Sequence, residues 1–67
     1  MKLKLTMLPQ NKKQVRDIKA KVVGDLLGEL KLEREVYVFK KNGAVVTEAE
    51  PLKSGDHVEV IKVVSGG

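Results

Sequence analysis

The sequence predicts an α+β domain in which one helix packs on one face of a mixed sheet of four to five strands. Apolar residues recur with a period of two in several short segments, a single segment switches to the helical period, and Asn42-Gly43 joins two strand segments as a tight hairpin does. At 67 residues the chain makes one domain, near the lower limit at which a core holds without staples.

The elements follow in order. Leu3, Leu5 and Met7 alternate with Lys4 and Thr6, the spacing of a strand with one buried face. Pro9, Gln10 and Asn11 supply turn chemistry before a second strand at about residues 13–19. Within it Val15 and Ile18 fall on opposite faces unless a bulge intervenes. From Val22 the period changes. Val23, Leu26, Leu27 and Leu30 stand at i, i+3, i+4 and i+7, one face of a helix of about two and a half turns. Gly24 and Gly28 each cost that helix about 1 kcal/mol relative to alanine, and no capping side chain precedes it, so burial of its leucines must hold it. Close backbone approach and plain sequence drift are both open as reasons for the two glycines.

Residues 35–41 read as a third strand. Val36 and Val38 are assigned, with Leu3, Leu5, Val58 and Val60, to the face under the helix, which leaves Tyr37 and Phe39 on the other. Asn42-Gly43 suits a hairpin because both residues accept positive φ, and Ala44-Val45-Val46 is the return strand. Residues 48–56, EAEPLKSGD, form a surface excursion with Leu52 as its anchor, and the last strand runs over about residues 57–64. The order is ββαββ. A right-handed crossover leaves room for the last strand to insert parallel to the first, which is the ubiquitin-like β-grasp arrangement.

Composition closes several routes. With no cysteine there is no disulfide, thiolate metal site or cysteine nucleophile, and the single His57 cannot build a metal cluster alone. No apolar stretch approaches the roughly 20 residues of a membrane span, and MKLKLT alternates where a signal peptide is continuously apolar, so a cytoplasmic protein is expected. The net charge of +4 and pI near 9.5 raise the question of nucleic acid. Against it, the lysines are spread along the chain and interleaved with acids, and only Tyr37 and Phe39 offer stacking surfaces.

The chain closes on VVSGG. A β-grasp body over residues 1–64 would then present Ser65, Gly66 and Gly67 as a flexible arm bearing the α-carboxylate. Glycine lacks a Cβ, so such an arm threads a channel too narrow for any side chain. A terminal carboxylate, with pKa about 3.3 to 3.7, is ionised and resists nucleophiles until it is activated. Coupling to AMP supplies a leaving group, after which sulfur, a thiol or an amine can attack the acyl carbon of Gly67.

Four stretches carry a family resemblance: VVGDLLGEL (22–30), VYVFKKNGAVV (36–46), PLKSGDHVEVI (51–61) and the final VVSGG. Together they resemble the ubiquitin-like sulfur carriers of the ThiS and MoaD family, closest to ThiS, with archaeal protein modifiers as relatives. The resemblance implies a carrier that is not itself an enzyme and binds no cofactor. A ubiquitin-activating-type partner would use ATP to adenylate Gly67. A sulfur donor protein would then convert it to a thiocarboxylate, and a thiazole or molybdopterin synthase, or tRNA thiolation, would take the sulfur. Eleven lysines keep open a second outcome of the same activation, conjugation to lysines through Gly67.

Tyr37, Phe39, Ile61 and Val63 form an outer-face apolar patch expected to dock the adenylating partner, with simple cross-strand packing as the plain alternative. A rival of another class is a basic RNA-binding β-grasp module using Lys2, Lys4, Lys40, Lys41 and Lys62. His57 beside Asp56 reads as a surface histidine, since strand neighbours point to opposite faces. Ser54-Gly55-Asp56 reads as a turn with an Asx bond, and Asp25, Glu29, Glu33 and Glu35 as a solvated face.

Overall fold

In the computed structural model, which describes residues 1–8, 10–32 and 36–63, the strands are β1 (Lys2–Leu8), β2 (Lys12–Asp17), β3 (Tyr37–Lys41), β4 (Ala44–Val46) and β5 (His57–Lys62). One helix, α1 (Asp25–Glu29), lies between β2 and β3. The sheet order is β2-β1-β5-β3-β4, with β1 parallel to β5 and every other pair antiparallel. The last strand thus inserts beside the first, as the crossover argument requires.

The alternation in β1 and β5 sets the core. Leu3 and Leu5 from β1 and Val58 and Val60 from β5 are buried beneath Val23 and Leu26, and Ile18, Ala20, Leu52 and Phe39 complete the layer. Val15 is exposed on β2 while Ile18, just past its end, is buried, so the two occupy opposite sides without a bulge. The chain turns inward as soon as it leaves the edge strand.

The helix is shorter than its periodicity predicts. Only five residues are α-helical; the entry is tighter, with Leu26 and Leu27 N–H donating to the carbonyls of Val23 and Gly24, three residues back. Two glycines and a missing cap leave little local drive for more turns. The excursion substitutes for the cap: the carbonyls of Glu50 and Glu48 accept from Val23 and Gly24 N–H at 2.9 and 2.8 Å. At the other end Lys31 N–H reaches Gly28 O and Leu32 N–H reaches Leu27 O, with Lys31 at φ +53°. Those two bonds make a Schellman stop with lysine in the place glycine usually takes.

The two helix glycines differ in kind. A Cβ on Gly24 would lie 3.0 Å from Glu48 Cβ and 3.2 Å from its carbonyl oxygen, whereas one on Gly28 would meet nothing within 4 Å. Gly24 therefore permits a close backbone approach, and Gly28 only weakens the helix. Opposite signs are expected in urea unfolding: Gly28→Ala raises stability by about 0.5 to 1 kcal/mol. Gly24→Ala lowers it by about 1 to 3 kcal/mol through overpacking.

Asn42 and Gly43 have φ of 51° and 88°, both positive as a type I′ hairpin requires, and they join Lys41 directly to Ala44. Asn42 also ties this hairpin to the excursion. Its Nδ2 donates to Asp56 Oδ1 at 3.1 Å and its Oδ1 accepts from His57 N–H at 3.0 Å. Lys53 N–H donates to Asp56 Oδ2 at 2.8 Å across a turn in which Gly55 has φ +90°. The Ser54-Gly55-Asp56 segment is thus a carboxylate-braced turn.

That Lys53 N–H bond, helped by Asn42 and by the charges of Lys41 and Lys53 against a smaller opposing cost of burial, holds the Asp56 carboxyl below its ordinary range. Asp17 is lowered too, chiefly by its hydrogen bond and attraction to the terminal ammonium 3.0 Å away. Carboxyls depressed in the folded state stabilise it above their unfolded pKa of about 3.9 and lose that contribution as pH falls through the folded value. The urea midpoint should therefore drop on going from pH 6 into the region below about pH 4. Asp56→Asn, which cannot titrate, should show a smaller drop; an equal drop would remove Asp56 from the acid response.

Candidate functional site

A sheet covered by a helix on one side leaves its other side to partners, and strand phase decides what that side shows. Even-numbered residues of β1 and odd-numbered residues of β5 lie on the uncovered face. The register places Leu8 beside Ile61 and Ile61 beside Val38, so these three half-buried side chains form a row across β1, β5 and β3. Val63 N–H then donates to Val36 O at 2.9 Å, extending the pairing by one step, and both residues are exposed. The row sits at the rim where β5 ends and the chain passes on to residues 64–67.

This row differs from the expected patch of Tyr37, Phe39, Ile61 and Val63. Ile61 and Val63 lie on the uncovered face. Phe39 does not: it pairs with Val60 and Val46 on the helix side and is 3% exposed, a core residue. Tyr37 shares that phase, half-buried against the core and lining a depression of about 220 Å³ with Met7, Leu32 and Lys62. Val36 and Val38, expected under the helix, take the outer phase, and Val36 is 68% exposed.

The physical reason is ambiguity of phase. Val36-Tyr37-Val38-Phe39 is apolar on both faces, so alternation cannot choose between them. Volume can: a core that already holds Val23, Val58 and Val60 is filled better by the one phenylalanine than by a further valine, and Phe39 becomes one of its anchors. Leu8 also escaped sequence reasoning, because it follows Met7 and blurs the end of the alternation in β1.

Beside the apolar row the outer face turns polar. Thr6 is buried at 5% exposure, and its Oγ1 lies 2.8 Å from Nε2 of the half-buried His57. His57 and Asp56 diverge, the carboxylate bracing its turn and the ring bonding to Thr6, so they form no acid-base pair. Glu29, expected in solvent, accepts from Lys19 N–H with both oxygens at 3.0 and 2.9 Å and fastens the helix to the chain leaving β2. Asp25 accepts long bonds from Lys21 and Val22 N–H at 3.3 and 3.4 Å. Glu33 and Glu35 lie outside the described residues, as do Ser65, Gly66 and Gly67.

The lysines of the RNA-binding alternative do not share a face. Lys2, Lys4 and Lys40 are on the outer phase, whereas Lys41 and Lys62 are on the helix side. Lys41 is also committed, donating to Pro51 O at 3.0 Å and paired with Glu50 at 2.6 Å. Among the described residues no group of three or more His, Cys, Asp or Glu side chains could hold a metal ion, and no helix is long and apolar enough to cross a membrane.

Comparison with known proteins agrees with this architecture. The chain is similar to the crystal structure of the thiamine biosynthesis protein ThiS from Geobacter metallireducens, with 28% identity and a TM-score of 0.62, covering 96% of this chain and 99% of that one. The family model described as ThiS family matches residues 6–67, nearly the whole sequence and all of β1 to β5 but the first four residues. By fold, by strand order and by that match, the chain belongs to the ThiS family of ubiquitin-like sulfur carriers.

Proposed function

We propose that this protein carries sulfur as a thiocarboxylate on Gly67 and delivers it in thiamin biosynthesis, acting as a co-substrate and not as a catalyst. The observation that carries the reading is the family match, which extends over residues 6–67 and so includes the Gly66-Gly67 pair. The chemistry follows from the carboxylate. Its oxygen attacks the α-phosphate of ATP held by a ubiquitin-activating-type enzyme, pyrophosphate leaves, and the acyl adenylate forms. The terminal sulfur of a persulfide on a donor protein then displaces AMP, giving an acyl disulfide. A thiol attacks the donor-side sulfur, the S–S bond breaks, and the donor and that thiol are left as a disulfide while Gly67 keeps the thiocarboxylate that a thiazole synthase consumes. Conjugation to lysines would follow the same first step with an amine as nucleophile.

For the tail to reach such a site the body must be gripped nearby, and the row Leu8, Ile61, Val38 and Val63 is placed for that. Small apolar patches of this kind serve as interface centres, and their anchors dominate binding. ATP-dependent pyrophosphate release by the purified adenylating enzyme of the source cell, stimulated by this protein, tests the first step. Ile61→Asp should weaken calorimetric binding to that enzyme by about 30-fold or more, equivalent to about 2 kcal/mol. Unchanged affinity with an intact circular dichroism spectrum would take the row out of the interface.

A further inference from the structure

The charges are not evenly distributed. Residues 1–21 hold seven basic side chains against one acid, Asp17, a net of +6; the remaining residues hold six basic against eight acidic, a net of −2, which together give the +4 of the chain. Interleaving of lysines with acids therefore describes only the part of the sequence beyond residue 21. The fold gathers the positive part on one side, because β1 and β2 pair with each other and β2 is the edge of the sheet.

On the outer face of that side is a depression of about 380 Å³. Lys4 and Lys13 stand on its walls, Val15 and the Thr6 to His57 hydrogen bond also line it, and none of its lining side chains is acidic. Among the described residues neither lysine has an ion-pair partner. Of the acids on this face, Asp17 holds the terminal ammonium, and Glu59, in register with Thr6 on one side and Lys40 on the other, does not line the depression. The depression adjoins the apolar row, since Thr6 and Leu8 are successive outer residues of β1.

We propose that Lys4, Lys13 and the Thr6–His57 pair form a cationic cup that receives a carboxylate side chain from an acidic surface on the enzyme that loads the tail. This rests on the sulfur-carrier reading and adds the chemistry of the partner's face: an apolar centre flanked on the β2 side by Asp and Glu. The surroundings select a protein over a nucleic acid, because no Phe, Tyr or Trp lines the cup, its one ring, His57, is half-buried and bonded to Thr6, and the cup continues into an apolar row. The surplus of +6 acts at a distance, so its main effect is on the encounter rate, while the cup fixes orientation.

The test is stopped-flow association of the full-length protein with the purified adenylating enzyme at low and high salt. Wild-type association should slow by about 10-fold or more as salt is raised, and Lys4→Glu/Lys13→Glu should be slower than wild type by about 10-fold or more at low salt with a much flatter salt response. Lys4→Gln/Lys13→Gln should fall between them, and all three should share one melting temperature within a few degrees. If both charge variants associate as wild type does while Ile61→Asp does not, the cup is refuted and the carrier reading stands. If wild type neither binds the enzyme nor supports pyrophosphate release, both fail together. Should the reversal instead abolish salt-sensitive binding of transfer RNA and leave enzyme association intact, the positive side belongs to nucleic acid and the proposal is overturned.

Discussion

Deleting Gly67, or adding one alanine after it, is expected to abolish loading of the protein while leaving its melting temperature unchanged. One residue of extended chain moves the reacting carbon by about 3.5 Å. Misplacement by even 1 Å costs about 10²-fold in favourable cases, so the loss should be at least that large. An added side chain makes matters worse, because a channel that admits glycine excludes a Cβ. Stability should not respond, since the folded body is held by the core between Leu3 and Val60. The check is a pair of measurements on each variant: ATP-dependent pyrophosphate release with the adenylating enzyme, and thermal unfolding. Activity kept in both variants would show that the chemistry is elsewhere.

Phe39→Ala should act in the opposite way, on the body and not on the tail. Truncating a buried phenylalanine costs about 3 to 5 kcal/mol, the lost transfer of the ring plus the cavity it leaves. A domain of this size has about the same in total, roughly 3 to 5 kcal/mol. The variant should therefore be largely unfolded at room temperature, visible as loss of the strand signal in circular dichroism and of amide dispersion in NMR. Phe39→Leu, which keeps most of the volume, should fold with reduced stability and bind the adenylating enzyme as wild type does. A folded Phe39→Ala protein that had lost only its partner would mean that the ring faces outward after all.

Much of this architecture could be read from the residues. Leu3 and Leu5 against Lys4, and Val58 and Val60 against Glu59, have one apolar and one polar side each, so their burial followed from alternation alone. Asn42-Gly43 announced its turn because few other pairs accept two positive φ values. The helix was legible as an amphipathic segment but not in length, since tight entry turns and the backbone bonds from Glu48 and Glu50 depend on a loop more than 20 residues later in sequence. The phase of β3 was hidden for the same reason: Val36 to Phe39 is apolar throughout, and only pairing with β5 decides which side turns inward. Of the candidate interface, Ile61 and Val63 were legible and Leu8 and Val38 were not. The positive side defined by Lys4 and Lys13 is plain in the residue order, yet its meaning needed β1 and β2 to be seen side by side.

In the proposed function one terminal carboxyl oxygen of Gly67 would be exchanged for sulfur. Intact mass spectrometry of the protein taken from its own cells, with fragmentation to locate any change, addresses it directly. A fraction of molecules heavier by the difference between one sulfur and one oxygen atom, with the shift confined to Gly67, is the predicted result. A population with unaltered mass in cells actively making thiamin, or one in which Gly67 is joined only to lysines of other proteins, would contradict it.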